Sequence, residues 1–166
     1  HLGIQSLVDP NADRGLFWDD SSGVVDFFTA STGLEFSTTN LRMTANQRTA
    51  VIPFLVDGAA SPITTGVKGD IEVPFACTIT AARVLADTTG AIVFDIWKDT
   101  YANFPPLVAD TITASAKPTI SAANKAQDTT LTGLRTSVAA GDILRVNVDS
   151  CSTISRALLS LTVNKT

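Results

Sequence analysis

Residues 71–81 read Ile71-Glu72-Val73-Pro74-Phe75-Ala76-Cys77-Thr78-Ile79-Thr80-Ala81. Every odd position carries an apolar side chain, while Glu72, Thr78 and Thr80 take even ones. A period of two held over this length matches the pleat of a β-strand with one buried face, and a 3.6-residue helical period does not produce it. Pro74 lies on the opposite face and has no N–H to give to a ladder, which predicts an edge position or a bend there.

The same period recurs on both sides of this stretch. Upstream, Ala50 to Val56 presents Ile52, Phe54 and Val56 on one face. Downstream, Ala91 to Lys98 presents Ile92, Phe94 and Ile96. Ile143 to Val148 presents Leu144, Val146 and Val148, and Ile154 to Val163 presents Ala157, Leu159, Leu161 and Val163. Weaker strands are predicted over 108–114, 118–121 and 129–134. Asp87-Thr88-Thr89-Gly90 reads as a turn, and Asn103 to Pro106 as a loop, because consecutive prolines remove ladder donors. No window carries a sustained i, i+3, i+4, i+7 apolar stripe. The expectation is an all-β chain whose residues 46–166 form an antiparallel, jelly-roll-like β-sandwich head of about eight strands in two packed sheets. Its predicted core is Ile52, Phe54, Ile71, Val73, Phe75, Ile79, Ile92, Phe94, Ile96, Leu144, Val146, Val148, Leu159 and Leu161.

Residues 1–45 read differently. Leu16 to Trp18 and Val24 to Phe28 flank Asp19-Asp20-Ser21-Ser22-Gly23, a hairpin signature, and a short strand follows at Leu34 to Phe36. Three short strands bury too little to stand alone. The segment is expected to be a β-rich neck, ordered by neighbouring copies, with the polar stretch Thr44 to Thr49 as its boundary. The chain starts at His1 without an initiator Met, so it reads as a fragment or processed piece.

Composition narrows the function classes. Charged residues make up 17% of 166 residues, against roughly 25% in ordinary soluble domains, and mean hydropathy is positive. No apolar run is long enough to cross a membrane as a helix. The surplus apolarity therefore points to burial between subunits, and a homotrimer is expected. Net charge is −4 with no Lys or Arg cluster, which speaks against nucleic-acid binding through phosphate neutralisation. Cys77 and Cys151 form no metal-type spacing and read as small buried side chains, or as a pair if their strands adjoin.

Catalytic constellations are missing from the pattern. The only histidine, His1, sits at a chain end, so a Ser-His-Asp or Cys-His arrangement has no base to use. Glu35 and Glu72 are the only glutamates, and no carboxylate pair suits glycoside hydrolysis. Asp19 and Asp20 in the hairpin loop read as solvated or capping rather than as metal ligands. The reading is a non-enzyme with no metal and no cofactor. Alternation places Asp95 and Trp97 on the face opposite Phe94, and Asp99 and Tyr101 continue the series. Carboxylates alternating with aromatics suit a sugar, whose ring stacks while its hydroxyls donate, and equally suit a subunit interface. Asp95, Trp97, Asp99 and Tyr101 are therefore the receptor or subunit-interface candidates.

Several segments carry a resemblance. Asp13 to Gly23 (DRGLFWDDSSG) with Thr29 to Phe36 (TASTGLEF), then Gly69 to Ala81 (GDIEVPFACTITA), Ala91 to Pro106 (AIVFDIWKDTYANFPP), Ala139 to Ser150 (AAGDILRVNVDS) and Ala157 to Thr166 (ALLSLTVNKT), resemble bacteriophage tail-fibre and minor tail structural proteins. The later segments look like their C-terminal, receptor-binding-type domain. The resemblance implies a virion component on the particle surface, trimeric, joined to other virion proteins upstream of residue 1, and attaching to a host surface glycan or protein. It implies no catalytic residues. The alternatives are a capsid or tail-fibre spacer without a receptor site, and a carbohydrate-binding module of a secreted protein.

Overall fold

The computed structural model describes residues 15–21, 23–28, 33–37 and 40–166. The chain divides into two compact units, residues 1–48 and 49–166. His1, and the side chains of Phe17, Phe27 and Phe28, lie outside the described residues.

In the first unit, β1 (Gly15–Asp19) pairs antiparallel with β2 (Val24–Phe28), Asp19 opposite Val24. The polar loop closes the hairpin by local hydrogen bonding. Asp19 Oδ1 accepts from Ser21 N at 2.9 Å and Ser21 Oγ at 2.6 Å, and Gly23 N donates to Asp19 O at 2.8 Å. Gly23 has φ +65°, the left-handed region that favours glycine. The predicted third strand is β3 (Leu34–Ser37), and it forms a second hairpin with β4 (Asn40–Met43), which the sequence reading did not separate. Glu35 and Arg42 face each other across it as an ion pair at 2.9 Å. A single helical turn, Ala45–Arg48, ends the unit.

The second unit is a single seven-stranded antiparallel sheet. It contains β5 (Thr49–Asp57), β6 (Gly66–Val73), β7 (Cys77–Thr100), β8 (Thr119–Asp128), β9 (Ser137–Val138), β10 (Asp142–Ser152) and β11 (Arg156–Lys165). The order β5-β11-β7-β10-β6 forms a strongly curled half-barrel, with β8 and β9 also paired to β7. The expected all-β, antiparallel character is present. The strands nevertheless hydrogen-bond into one continuous sheet, and no clear jelly roll separates out.

β7 explains this continuity. A straight strand of 24 residues would span about 80 Å at ~3.3 Å per residue, more than twice the width of a unit this size. The strand therefore bends, and its two halves take different neighbours. Cys77 to Ala86 pair with β11, whereas Ala91 to Thr100 pair with β10. β8 follows the same bend, with register shifts on both sides of Gly90. A Cβ at Gly90 would come within 2.5 Å of the Ser152 carbonyl oxygen and 2.3 Å of Thr153 Oγ1, so only glycine lets the β10–β11 turn approach so closely. The turn predicted at 87–90 is thus corrected to a bent strand. Asp87, a turn-former by type, spends its carboxylate on Ser155 N and Ser155 Oγ instead.

Two further readings change. The run 71–81 is not one strand, since β6 ends at Val73 and β7 starts at Cys77, with Pro74 in the break. The inward phase survives the break: Val73 and Cys77 are both 1% exposed. Residues 129–134 form a turn rather than a strand, with Asp128 Oδ1 accepting from Thr130 N and Leu131 N at 2.8 and 3.1 Å.

The predicted core is buried, with Ile71 and Phe75 only partly so. Residues of both halves of β7 belong to one apolar cluster, where Val84 from the first half joins Phe94 and Ile96 from the second, together with Leu144, Val146, Leu159 and Leu161. Cys77 and Cys151 are free thiols; the first is buried and the second half-buried.

Candidate binding site

The four candidate residues follow one another along the second half of β7, yet the fold divides them. Phe94 and Ile96 face the core with no exposure, so alternation sends Asp95 and Trp97 to the other face, as read from the sequence. That face is not open at Asp95, which is 2% exposed. Residues 111–113 run along the free side of β7, with Thr111 bridging Trp97 and Ile112 N donating to Ile96 O at 2.8 Å. This alignment sets two threonine hydroxyls against the carboxylate. Thr111 Oγ1 and Thr113 Oγ1 donate to Asp95 Oδ1 at 2.6 and 2.5 Å.

On its other oxygen Asp95 faces Lys117 Nζ at 3.2 Å, and Lys117 also holds Asp149 at 2.6 Å. Asn147, opposite Asp95 on β10, donates to Asp149 at 2.7 Å. Burial pushes the Asp95 carboxyl up, but the hydrogen bonds from Thr111, Thr113 and Lys117 outweigh it and hold it below its ordinary value. The Trp97 indole helps to hold the carboxylate ionised, although its Nε1 is buried without a partner in hydrogen-bond geometry. Asp95 is accordingly a buried carboxylate with both oxygens engaged inside the chain. The sequence reading missed this because nothing in residues 108–114 says which strand they will lie beside. Trp97 is half-buried between Thr111 on one side and Arg145 on the other.

Asp99 and Tyr101 have a different setting. The Asp99 carboxylate accepts from Thr100 N at 2.7 Å and Asn103 Nδ2 at 3.1 Å, and these bonds lower its pKa. They brace the short 3-10 turn Tyr101–Asn103, on which the Tyr101 ring is 79% exposed. The loop expected at Asn103 to Pro106 is present, with a cis Phe104–Pro105 bond. Beyond it, Leu107 N donates to Asp110 Oδ2 and Asp110 N to Leu107 O, closing the second 3-10 turn, Val108–Asp110. The strand predicted over 108–114 is therefore this turn followed by a single bridge at Thr111.

Arg145 fastens the loop to the sheet. Its guanidinium binds Asp70 of β6 through two bonds of 2.6 and 2.8 Å, which raise its pKa. It also donates to Pro106 O at 3.3 Å and lies 5.3 Å from the centre of the Phe104 ring. Only a planar, forked cation can serve a carboxylate, a carbonyl and a ring together. What the loop shows to solvent is apolar: Phe104 is 49%, Leu107 58% and Val108 65% exposed. Their presence outside any strand, next to two prolines, was the signal available in the sequence for this crest.

Among the described residues no group of three side chains is placed to hold a metal ion. Comparison with protein-family models, curated proteins and solved structures gave no match.

Proposed function

We propose that this chain is a bacteriophage fibre component that attaches the virion to a host-surface glycan or protein, and that residues 101–108 are the contact. The observation that carries the reading is the braced loop itself. Four apolar side chains, two of them aromatic, stand in solvent on a segment held by Asp99, Asp110 and Arg145. Exposed apolar side chains gathered on one ordered loop mark an interaction site, and ordering in advance lowers the entropic cost of binding. The resemblance of Ala91 to Pro106 to phage receptor-binding-type domains supports the same assignment.

The finer architecture belongs to this proposal. The first half of β7 with β11 and β5, and the second half with β10 and β6, act as the two layers of a jelly-roll-like sandwich joined through the bend. Residues 1–45 act as a neck in a homotrimer on the particle surface, where three weak contacts combine into avidity. The site is an adhesion site without catalysis, metal or cofactor.

Binding of the fluorescently labelled full chain to a panel of bacterial strains tests the assignment. Tyr101→Ala combined with Phe104→Ala should abolish binding to the recognised strain and leave the assembly intact. A spacer would show no cell binding before or after the change. Dissociation of the particle by the double variant would make the loop a subunit interface instead.

A further inference from the structure

Close to the crest in sequence, Lys98 and Ile112 flank the loop at its two ends, and both line a cleft of about 560 Å³. Leu134, Arg135, Thr136 and Ser137 complete it. The volume falls in the range of about 300–1,000 Å³ usual for small-ligand sites. Ile112 and Leu134 supply buried apolar surface, whereas the other four residues bring two cations and two hydroxyls.

The wall formed by 134–138 is held by the backbone. Leu134 N donates to Leu131 O at 3.0 Å, Arg135 N to Ile112 O at 2.7 Å, and Ile79 N to Thr136 O at 2.9 Å. β9 then pairs Ser137 and Val138 with Thr78 and Cys77. The cleft is thus built before any ligand arrives.

Its two cations differ. Lys98 is neutralised by Asp142 at 2.7 Å, and Asp142 is fixed in turn by Ala139 N at 2.8 Å. Arg135 has no carboxylate within ion-pair distance among the described residues. It uses one guanidinium nitrogen on the Thr111 carbonyl, which orients the group and leaves other N–H donors over. An uncompensated, oriented guanidinium in a cleft that Thr136, Ser137 and apolar side chains also line suits an oxyanion carried on a compact polyhydroxylated body.

We propose that this cleft binds the acidic group of a glycan, a carboxylate or a phosphate on a sugar, with Arg135 as the anion contact and Thr136 and Ser137 as hydrogen-bonding partners. The biological setting rests on the adhesion reading above, with the crest and the cleft serving the same receptor. One exposed arginine supports only millimolar affinity, which multivalency then multiplies.

Amide NMR of the ¹⁵N-labelled full chain, titrated separately with sodium glucuronate, glucose 6-phosphate and glucose, tests this. At least one anionic sugar should shift the Thr136 and Ser137 amide signals and the Arg135 Nε–H signal, while glucose does not. Whichever acidic sugar binds identifies carboxylate or phosphate as the group. Arg135→Gln should weaken binding about tenfold, equivalent to ~1.4 kcal/mol. Arg135→Lys, which keeps the charge, should lose less, and Arg83→Gln, outside the cleft, should change nothing. Raised salt should weaken the wild-type interaction. Glucose binding equal to the acids, undiminished binding by Arg135→Gln, or no binding by either acid overturns the inference. Because these probes report on the cleft without cells, failure here is distinguishable from failure of the crest, which shows as unchanged cell binding by the Tyr101 and Phe104 double variant.

Discussion

Replacing Asp95 tests whether its carboxylate is a structural pin. In the folded chain it accepts two threonine hydroxyls at 2.6 and 2.5 Å and faces Lys117 at 3.2 Å, at 2% exposure. A hydrogen bond to a charged group contributes about 1.5–3 kcal/mol, set against the cost of burying the charge. Removing the carboxylate strands the Thr111 and Thr113 hydroxyls, at about 1–3 kcal/mol for each unsatisfied buried group, while Lys117, one-third exposed, keeps Asp149. Asp95→Ala should therefore destabilise the chain by about 2–6 kcal/mol. Asp95→Asn keeps an acceptor for the hydroxyls and loses the charge, so its cost should be about half as large. The pH dependence adds a second constraint. The folded pKa lies below the ordinary 3.8, so the contribution is fully present above that value and is lost as pH falls through the folded pKa. The gap between wild type and Asp95→Asn in urea unfolding should be constant near neutrality and close in acid. An Asp95→Ala variant within about 0.5 kcal/mol of wild type, or a gap that widens in acid, would refute the reasoning.

Phe94→Ala removes a ring with no exposure from the centre of the cluster and should cost about 3–5 kcal/mol in the same unfolding assay. Gly90→Ala puts a methyl group against the Ser152 carbonyl. It should cost about 1–3 kcal/mol and speed exchange of amides in the β10–β11 turn, whereas a neutral result would mean that β7 does not bend as described. Burial, and next the Asp142 charge, push the Cys77 thiol up. With a thiol reagent under native conditions Cys151 should react first, and Cys77 only as the chain unfolds; rapid native labelling of Cys77 would contradict its burial.

The strand faces needed only the sequence, because side-chain direction in a strand depends on parity alone. Ile71 to Ala81 kept its phase even across the break at Pro74, and Leu144, Val146, Leu159 and Leu161 were assigned inward and are fully buried. The Asn103 to Pro106 loop was legible for a similarly local reason, since proline and turn chemistry act over a few residues, whereas Tyr101, reached by carrying the strand's alternation onward, lies on a 3-10 turn after β7 ends. What lies beside each strand was not legible. Asp87-Thr88-Thr89-Gly90 has turn composition, but its conformation was decided by Ser155 and the backbone of Ser152, more than sixty positions away in the chain. Asp95 reads as a solvent-facing carboxylate until Thr111, Thr113 and Lys117 are brought against it, and the cleft of Lys98 and Arg135 joins segments that meet only in the folded sheet. Parity is a property of one strand, whereas burial, pKa and binding geometry depend on which strands become neighbours, and that choice is made by tertiary packing.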